Sequence, residues 1–243
     1  MSMQELFQKA APLSKEQHSG SFLEAGTGFD FARSMSHVPV LVTEFPDLVS
    51  DYIVAFLQSS DKVVVVALLG LKEDENLYLK PDGSWAVKYV PALLRQYPFA
   101  AMVGEERRVL CIAEDCPGLN TSGKGTALFG EDGEVSEFVV NVRKLVSSVA
   151  SAGVRSEAFC ARMKELDLLK PIKAVLKDEA GKERRISGLQ VINKEALNGL
   201  PAKTIKELQA NGMLEAIYAH LLSLRNLRDL AARVSVQDKE RLN

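Results

Sequence analysis

The chain has 243 residues, of which 47% are hydrophobic and 26% are charged, and its formal net charge at pH 7 is −2. These values are typical of a globular protein with enough apolar material for one large domain or two modest ones. The nearly neutral charge argues against an extended electrostatic interface with nucleic acid or with an anionic membrane surface. We therefore expect no nucleic-acid partner.

Cysteine usage and the absence of targeting patterns indicate a cellular compartment. Cys111, Cys116 and Cys160 do not form a CxxC redox motif, and no histidines near them complete a zinc set. Three unpaired thiols are typical of a reducing compartment. The N-terminal segment lacks the apolar run of a secretory signal, and no stretch approaches the roughly 18 apolar residues of a membrane helix. The sequence therefore predicts a cytoplasmic protein without membrane insertion.

The first half of the chain has the pattern of β-strands. After a polar leader, the pattern predicts strands over residues 37–45 and 51–57, followed by a strand over residues 63–71 that is buried on both faces. Pro39 favours an edge position for the first of these strands.

Two turns in this half predict hairpins. Pro81-Asp82-Gly83 combines a fixed φ, a side chain that bonds its own backbone and a residue that accepts positive φ. Apolar spacing then predicts a short helix over residues 90–97. A second hairpin is expected from the segments AAMV and RRVLCIA around residues 104–106.

The second half has helical patterns. An apolar stripe predicts a helix from Glu134, which Ser151-Ala152-Gly153 weakens and which Ser156 caps again. We expect a hairpin over residues 172–192, with its turn at residues 178–182. The last helix, from Met213 to about residue 234, is expected to be the longest unbroken helix. Its predicted core stripe is Leu214, Ile217, Leu221 and Leu224.

The predicted fold class is α+β, with a mainly antiparallel, hairpin-built sheet in the first half and the helices of the second half packed on it. We place that sheet at about residues 38–113. We expect one domain over residues 1–243, strand-rich over about 30–114 and helix-rich over about 134–234. The loop at residues 115–133 separates the two parts, and its length leaves a functional role open.

This loop contains a match to a phosphate-binding motif. Residues 118–124, GLNTSGK, spell the GxxxxGK of a P-loop after a predicted strand. The mechanism needs a Ser or Thr directly after the lysine and a helix N-terminus aimed at the phosphates. Gly125 occupies that position, and a turn rather than a helix is predicted beyond it. We therefore interpret the match as a surface loop that does not bind nucleotide.

No catalytic signature stands out, because GxSxG and local Ser-His-Asp or Cys-His patterns are missing. The consecutive carboxylates Glu73-Asp74-Glu75 predict a solvated turn rather than a metal site. Trp85 is open to two interpretations, a lid over a ligand or core packing, of which we favour packing. We assign no catalytic residue, no metal ligand and no cofactor.

Two groups of polar residues beside apolar stripes form the candidate ligand site. Arg95 and Tyr97 end the short helix, and His220, Arg225 and Asn226 lie on the last helix. An arginine beside buried apolar surface needs a partner, either a carboxylate of the protein or an anionic ligand. His220 fits a hydrogen-bonded core residue better than a catalyst. We expect the two groups to approach one another, in a structural role rather than as a site.

Five segments carry a resemblance to a known family. The chain resembles the SapC family of bacterial proteins over about residues 11–233. The segments are FARSMSHVPVLVTEFP at 31–46, ALLGLKEDENLYLKPDGSWAVKYVPALLRQYPF at 67–99, CIAEDCPGLN at 111–120, AFCARMKELDLLKP at 158–171 and AIYAHLLSLRNL at 216–227.

The resemblance implies a link to a bacterial surface-layer locus and its export, with which the family is associated by name. It supplies no catalytic residue to transfer. Family members are often labelled transporter permeases, a label that conflicts with the missing membrane span.

Two hypotheses about function remain. The first is a cytoplasmic accessory or binding protein that serves surface-layer or envelope production by contacting a partner protein, which could be surface-layer or export related. The second is an enzyme or small-ligand binder with a pocket between the sheet and the C-terminal helix. The missing catalytic signature favours the first. The sequence leaves open whether the chain forms homo-oligomers.

Overall fold

The computed structural model describes residues 3–24, 26, 28–59, 61–103, 108–172, 174–177 and 183–240. The strands are β1 (Ala10–Pro12), β2 (Phe22–Leu23), β3 (His37–Pro39), β4 (Val54–Ser59), β5 (Lys62–Leu68), β6 (Phe99–Val103), β7 (Arg108–Ala113), β8 (Leu119–Asn120), β9 (Thr126–Ala127), β10 (Leu169–Pro171), β11 (Ala174–Lys177), β12 (Glu183–Ile186) and β13 (Leu189–Ile192). The helices are α1 (Lys15–His18), α2 (Phe45–Leu48), α3 (Ala92–Arg95), α4 (Glu137–Glu165), α5 (Lys194–Asn198), α6 (Ala202–Ala210), α7 (Met213–Ser223) and α8 (Leu227–Glu240).

The larger sheet has five antiparallel strands in the order β10-β13-β4-β5-β3. Its centre is the β4–β5 hairpin, in which Val54 pairs with Ala67 and Ser59 pairs with Lys62. The run VVVVAL is buried on both faces through most of β5, as its β-branched composition predicts. β3 is an edge strand, which agrees with Pro39.

A second antiparallel sheet, in the order β1-β7-β6, corrects the single sheet predicted over residues 38–113. The hairpin strands β6 and β7 are confirmed, although the turn at residues 104–106 lies outside the described residues. β7 pairs with β1 from the N-terminal leader, and this pairing makes the hairpin part of a different sheet. The hairpin β11–β12 is likewise confirmed, with its turn at 178–182 outside the described residues.

The Pro81-Asp82-Gly83 turn is present. Gly83 has a φ of 79°, and the Asp82 carboxylate accepts bonds from the Ser84 N–H and hydroxyl. Its flanks are shorter than predicted, with one bridge between Leu79 and Trp85 rather than two strands.

The long helix α4 is continuous over 29 residues, so the predicted break at Ser151-Ala152-Gly153 is wrong. Ser156 does not cap a new helix. Its hydroxyl donates to the Ala152 carbonyl one turn back and accepts from the Val42 N–H. The serine thereby joins α4 to the segment after β3, and contacts with β5 and β6 support the helix along its length.

The prediction of one unbroken last helix is also wrong. α7 ends at Ser223, a 3₁₀ turn follows over Leu224–Asn226, and α8 continues from Leu227. The Ser223 hydroxyl accepts from the Val54 N–H, and the Asn226 amide donates to the carbonyls of Val49 and Tyr52. These bonds, to Val54 of β4 and to the segment before it, fix the 3₁₀ turn that interrupts the helix.

The α+β class is confirmed, with antiparallel sheets in the first half and helices in the second. The largest apolar cluster contains residues from Leu6 to Val234, so strands and helices share one core. Our expectation of a single domain stays a prediction. Among the described residues, no helix combines the length and the hydropathy that crossing a bilayer requires.

Candidate functional site

Arg95, the first predicted site residue, lies at the surface. Its Nε donates to the Val90 carbonyl at 2.9 Å and its guanidinium reaches the Tyr89 hydroxyl at 3.2 Å. The guanidinium also stacks over the Tyr89 ring, 5.2 Å from its centroid. The partner that the arginine required is thus a carbonyl and an aromatic ring.

Beneath Tyr89 lies Glu44, a buried carboxylate that the sequence analysis missed. It accepts hydrogen bonds from the Leu41 N–H at 2.8 Å, the Ala92 N–H at 2.7 Å and the Tyr89 hydroxyl at 2.9 Å. Burial raises the pKa of Tyr89, and the adjacent Glu44 charge raises it further. The carboxylate therefore ties the segment after β3 to the start of α3.

Tyr97 packs between Phe7 and Phe31, with ring centroids 5.9 and 4.3 Å away. Burial raises the pKa of its hydroxyl, and the Cys116 thiol and Asp115 nearby add to the effect. Trp85 is also a packing residue. Its Nε1 donates to the Tyr52 hydroxyl at 2.6 Å, which agrees with the core interpretation.

His220 is fully buried, as the interpretation of a core histidine predicts. Its Nε2 accepts from the Ile192 N–H at 3.0 Å, which joins α7 to β13. Burial lowers the pKa of His220 to about 4, and the other ring nitrogen, Nδ1, has no hydrogen-bond partner among the described residues. The ring is therefore neutral near pH 7 and serves as a hydrogen-bond acceptor.

The other two predicted residues differ in exposure. Asn226 is buried and donates to two carbonyls, whereas Arg225 is exposed. Tyr52 lies between the two predicted groups, because its carbonyl accepts from Asn226 and its hydroxyl donates to the Tyr89 carbonyl. Within the described residues, none of the five lines a cavity discussed below. Their assignment to a ligand site stays a prediction.

The loop at residues 118–124 is organised by Asn120. The Asn120 side-chain oxygen accepts from the N–H groups of Ser122 and Lys124, and its amide donates to the Phe22 and Lys124 carbonyls. No helix follows, as predicted, although the short strand β9 begins directly after Gly125, where a turn was expected. The sequence match therefore lacks a helix N-terminus, and the expected absence of nucleotide binding stays a prediction.

All three thiols are buried and free of disulfide bonds. Burial raises the pKa of Cys160 to about 11 and raises that of Cys111 as well. Thiols of this kind are poor nucleophiles near pH 7. Within the described ranges, no three His, Cys, Asp or Glu residues converge closely enough to hold a metal ion.

A concave surface lies between β5 and α4, and we call it the α4 groove. Two cavities of about 280 and 410 Å³ form it and share five lining residues. Small residues of α4 make one wall, at Ala150, Gly153 and Ala161. The five shared residues are Lys62, Val63, Val154, Glu157 and Cys160.

The other wall of the α4 groove is an open edge of the sheet. β3 pairs with β5 only from Val66 to Leu68, and one further bond joins the Val40 N–H to the Val65 carbonyl. The Leu68 N–H donates to the Ile53 carbonyl, so the backbone groups of Leu68 point toward β4. Backbone groups of successive residues in a strand point to opposite sides, and those of Val63, five residues earlier, therefore point away from β4. Among the described residues, no strand lies beside residues 62–64 on that side.

Helix α4 covers this edge in part. The Cys160 thiol of α4 lies beside the Val65 backbone, and Lys62 faces Glu157 at 3.6 Å across the groove. Val154, at the rim, is 54% exposed. An apolar rim, small wall residues and a sheet edge with no described strand beside it are together the features of a surface that accepts an extended chain.

A third cavity, of about 550 Å³, lies between α4 and the start of α7, and we call it the α4–α7 cavity. Buried Phe45, Phe159 and Ala216 belong to its lining, and Arg155 and Glu215 are the charged residues at it. Among the described residues, neither Arg155 nor Glu215 has an ion-pair partner within 4 Å.

The orientation of α7 also differs from the prediction. Its buried face carries Ile217, His220 and Ser223, whereas Leu222 is 57% exposed and Tyr218 is 50% exposed. Leu214, Leu221 and Leu224 of the predicted stripe are only partly buried. The sequence MLEAIYAHLLS contained the signal, because an apolar residue occurs on every side of this helix.

The fold and these surfaces define an α+β protein whose concave surfaces are bordered by backbone and apolar side chains. The family model of SapC matches residues 13–230, and the chain therefore belongs to the SapC family. No curated protein and no solved structure matches the chain.

Proposed function

We propose that this protein is a cytoplasmic accessory protein of surface-layer or envelope production that binds an extended segment of a partner protein in the α4 groove. The open edge of β5 at Val63 is the observation that carries the proposal. Membership of the SapC family supports the surface-layer link through the family name.

The geometry of the edge indicates the chemistry of the ligand. An extended chain next to Val63 can pair with both of its backbone groups, as in β-strand addition. Two such bonds contribute about 1–3 kcal/mol in total, so apolar side chains in the groove must supply the rest of the affinity. Charges along the groove are mixed, with Lys62 from β5, Arg108 from β7 and Glu157 from α4.

The polar interior supports binding rather than catalysis. The buried side chains of Glu44, Ser156, His220, Ser223 and Asn226 each bond to backbone groups that join two elements. Groups used in this way hold the fold.

A small-ligand pocket is the alternative, and the α4–α7 cavity is its best candidate. Its volume of about 550 Å³ fits a drug-sized molecule. However, it opens beside the exposed apolar face of α7 rather than between the sheet and the C-terminal helix. We therefore favour a protein partner for this surface as well.

Filling the α4 groove tests the proposal in cells. A Cβ at Gly153 meets no heavy atom within 4 Å, so Gly153→Leu should fold and occupy the groove. We expect the variant to lower the amount of surface-layer protein assembled on the cell, measured by quantitative immunoblotting of the cell surface. Gly153→Ala is the matched control, since it makes the same change of backbone freedom without filling the groove.

The folding of both variants is checked by thermal unfolding of the purified proteins. A normal surface layer in cells that carry a stably folded Gly153→Leu protein would contradict the proposed function.

A further inference from the structure

We propose that the outward face of α7 and the adjoining α4–α7 cavity bind a second copy of this chain, in a two-fold symmetric dimer. The inference goes beyond the proposed function and concerns a different surface, which meets the α4 groove at Ala158 of α4. It rests on the orientation of α7, on the position of the cavity and on two charges.

The outward face of α7 is the first observation. Tyr218 and Leu222, one turn apart, are half or more exposed, while the buried face of α7 carries Ala216, Ile217, His220 and Ser223. Glu215 is the single formally charged residue in α7 when His220 is neutral. A face of this composition matches a homodimer interface, which is more apolar than a transient one.

The position of the cavity is the second observation. Met213, Ala216 and Ala219 of α7 line it. Successive residues of a helix are rotated by 100°, which places Ala219 on the side of the cavity lining that is nearest to Tyr218 and Leu222. Exposed apolar side chains therefore flank a recess that could receive them. An isologous contact needs such a pair, because each copy must present both the projecting and the receiving surface.

The charges at the cavity are the third observation. Arg155 on α4 and Glu215 on α7 carry opposite charges and lack ion-pair partners within the described part of the chain. In a two-fold contact, Arg155 of each copy can face Glu215 of the other copy, which gives two ion pairs. The surface is then complementary in charge to itself.

Sedimentation analysis of the full chain over micromolar concentrations tests the dimer. We expect a monomer–dimer equilibrium for the natural sequence and an increase in the dimer Kd of at least about tenfold for Leu222→Glu. Val140→Glu is the matched control, since Val140 is an exposed apolar residue on the N-terminal part of α4. A chain that stays monomeric throughout, or a Leu222→Glu variant that dimerises normally, would overturn the proposal.

Exchanging the charges at residues 155 and 215 tests whether Arg155 of one copy faces Glu215 of the other. Arg155→Glu and Glu215→Arg should each weaken self-association, because like charges then meet at both pairs. An equimolar mixture of the two variants should form heterodimers, since both pairs are again of opposite sign. The expected recovery is a mixed-dimer Kd within about threefold of the natural one.

If the Kd of the mixed dimer is no lower than the Kd of either variant's own dimer, the proposed pairing of Arg155 with Glu215 is wrong, and the proposal with it. A monomeric natural chain would leave the α4 groove and the proposed function unaffected. The two tests are independent, because Gly153→Leu alters the α4 groove and leaves Tyr218 and Leu222 of α7 unchanged.

Discussion

Replacing Glu44 by alanine should lower the free energy of unfolding by about 3–5 kcal/mol, a loss at the upper end for single substitutions. The carboxylate is 4% exposed and accepts three hydrogen bonds. Its removal leaves the N–H groups of Leu41 and Ala92 buried without an acceptor. The Tyr89 hydroxyl is half-buried and can turn to water, so the two backbone groups account for most of the loss.

Urea unfolding followed by circular dichroism measures this change. Glu44→Gln is the matched control, because it keeps the size and one acceptor oxygen and should therefore cost less than Glu44→Ala. A loss below about 1 kcal/mol for Glu44→Ala would show that water satisfies the orphaned donors.

Acidification should destabilise the protein through His220. Its pKa is about 4 in the folded state and 6.5 in the reference state, so the unfolded chain binds this proton at the higher pH. Stability from the neutral ring is fully present above pH 6.5 and is lost as the pH falls toward 4. The expected slope in this window is up to about 1.4 kcal/mol per pH unit, or about 3 kcal/mol in total.

The variant His220→Gln isolates this contribution. Glutamine can accept from the Ile192 N–H and does not titrate, so the stability of the variant should depend less steeply on pH between 6.5 and 4. His37→Gln is the comparison variant: burial lowers the pKa of His37 as well, but this histidine is exposed, so its replacement should change the slope less than His220→Gln does. Equal slopes for the natural chain and His220→Gln would refute the assignment of the pH dependence to this ring.

Local patterns in the sequence predicted the elements whose partners are close in the chain. The β6–β7 hairpin and the Pro81-Asp82-Gly83 turn follow from turn residues between apolar runs. The strands β4 and β5 were predicted from their apolar runs, but their pairing as a hairpin was not. The division into two sheets was missed because β1 pairs with β7 about one hundred residues away. Local turn chemistry does not specify such a pairing.

The two long helical segments show that apolar periodicity and helix propensity alone do not determine where a helix ends. Ser151-Ala152-Gly153 is weak in helix propensity, but contacts of α4 with both sheets override it. Conversely, the last helix is interrupted after Ser223 although its apolar pattern continues. The Ser223 and Asn226 side chains bond there to the backbone of Val54 and Tyr52.

The candidate surfaces were harder to predict than the fold. The five predicted ligand residues were chosen as polar groups beside apolar stripes, and four of them take part in packing or in bonds with the protein itself. The α4 groove depends on where β3 ends relative to β5, which only the pairing register reveals. Glu44, inside the apolar run VLVTEF, was the local signal of a buried carboxylate.

The central claim is that the α4 groove holds an extended segment of a partner protein. Incorporation of benzoylphenylalanine at Val154, followed by irradiation of living cells, tests it most directly. We predict a covalent adduct with a surface-layer or export protein that is retained with Gly153→Ala and lost with Gly153→Leu. An adduct that Gly153→Leu leaves unchanged, or one no stronger than that from the same probe at Val140, would contradict the claim.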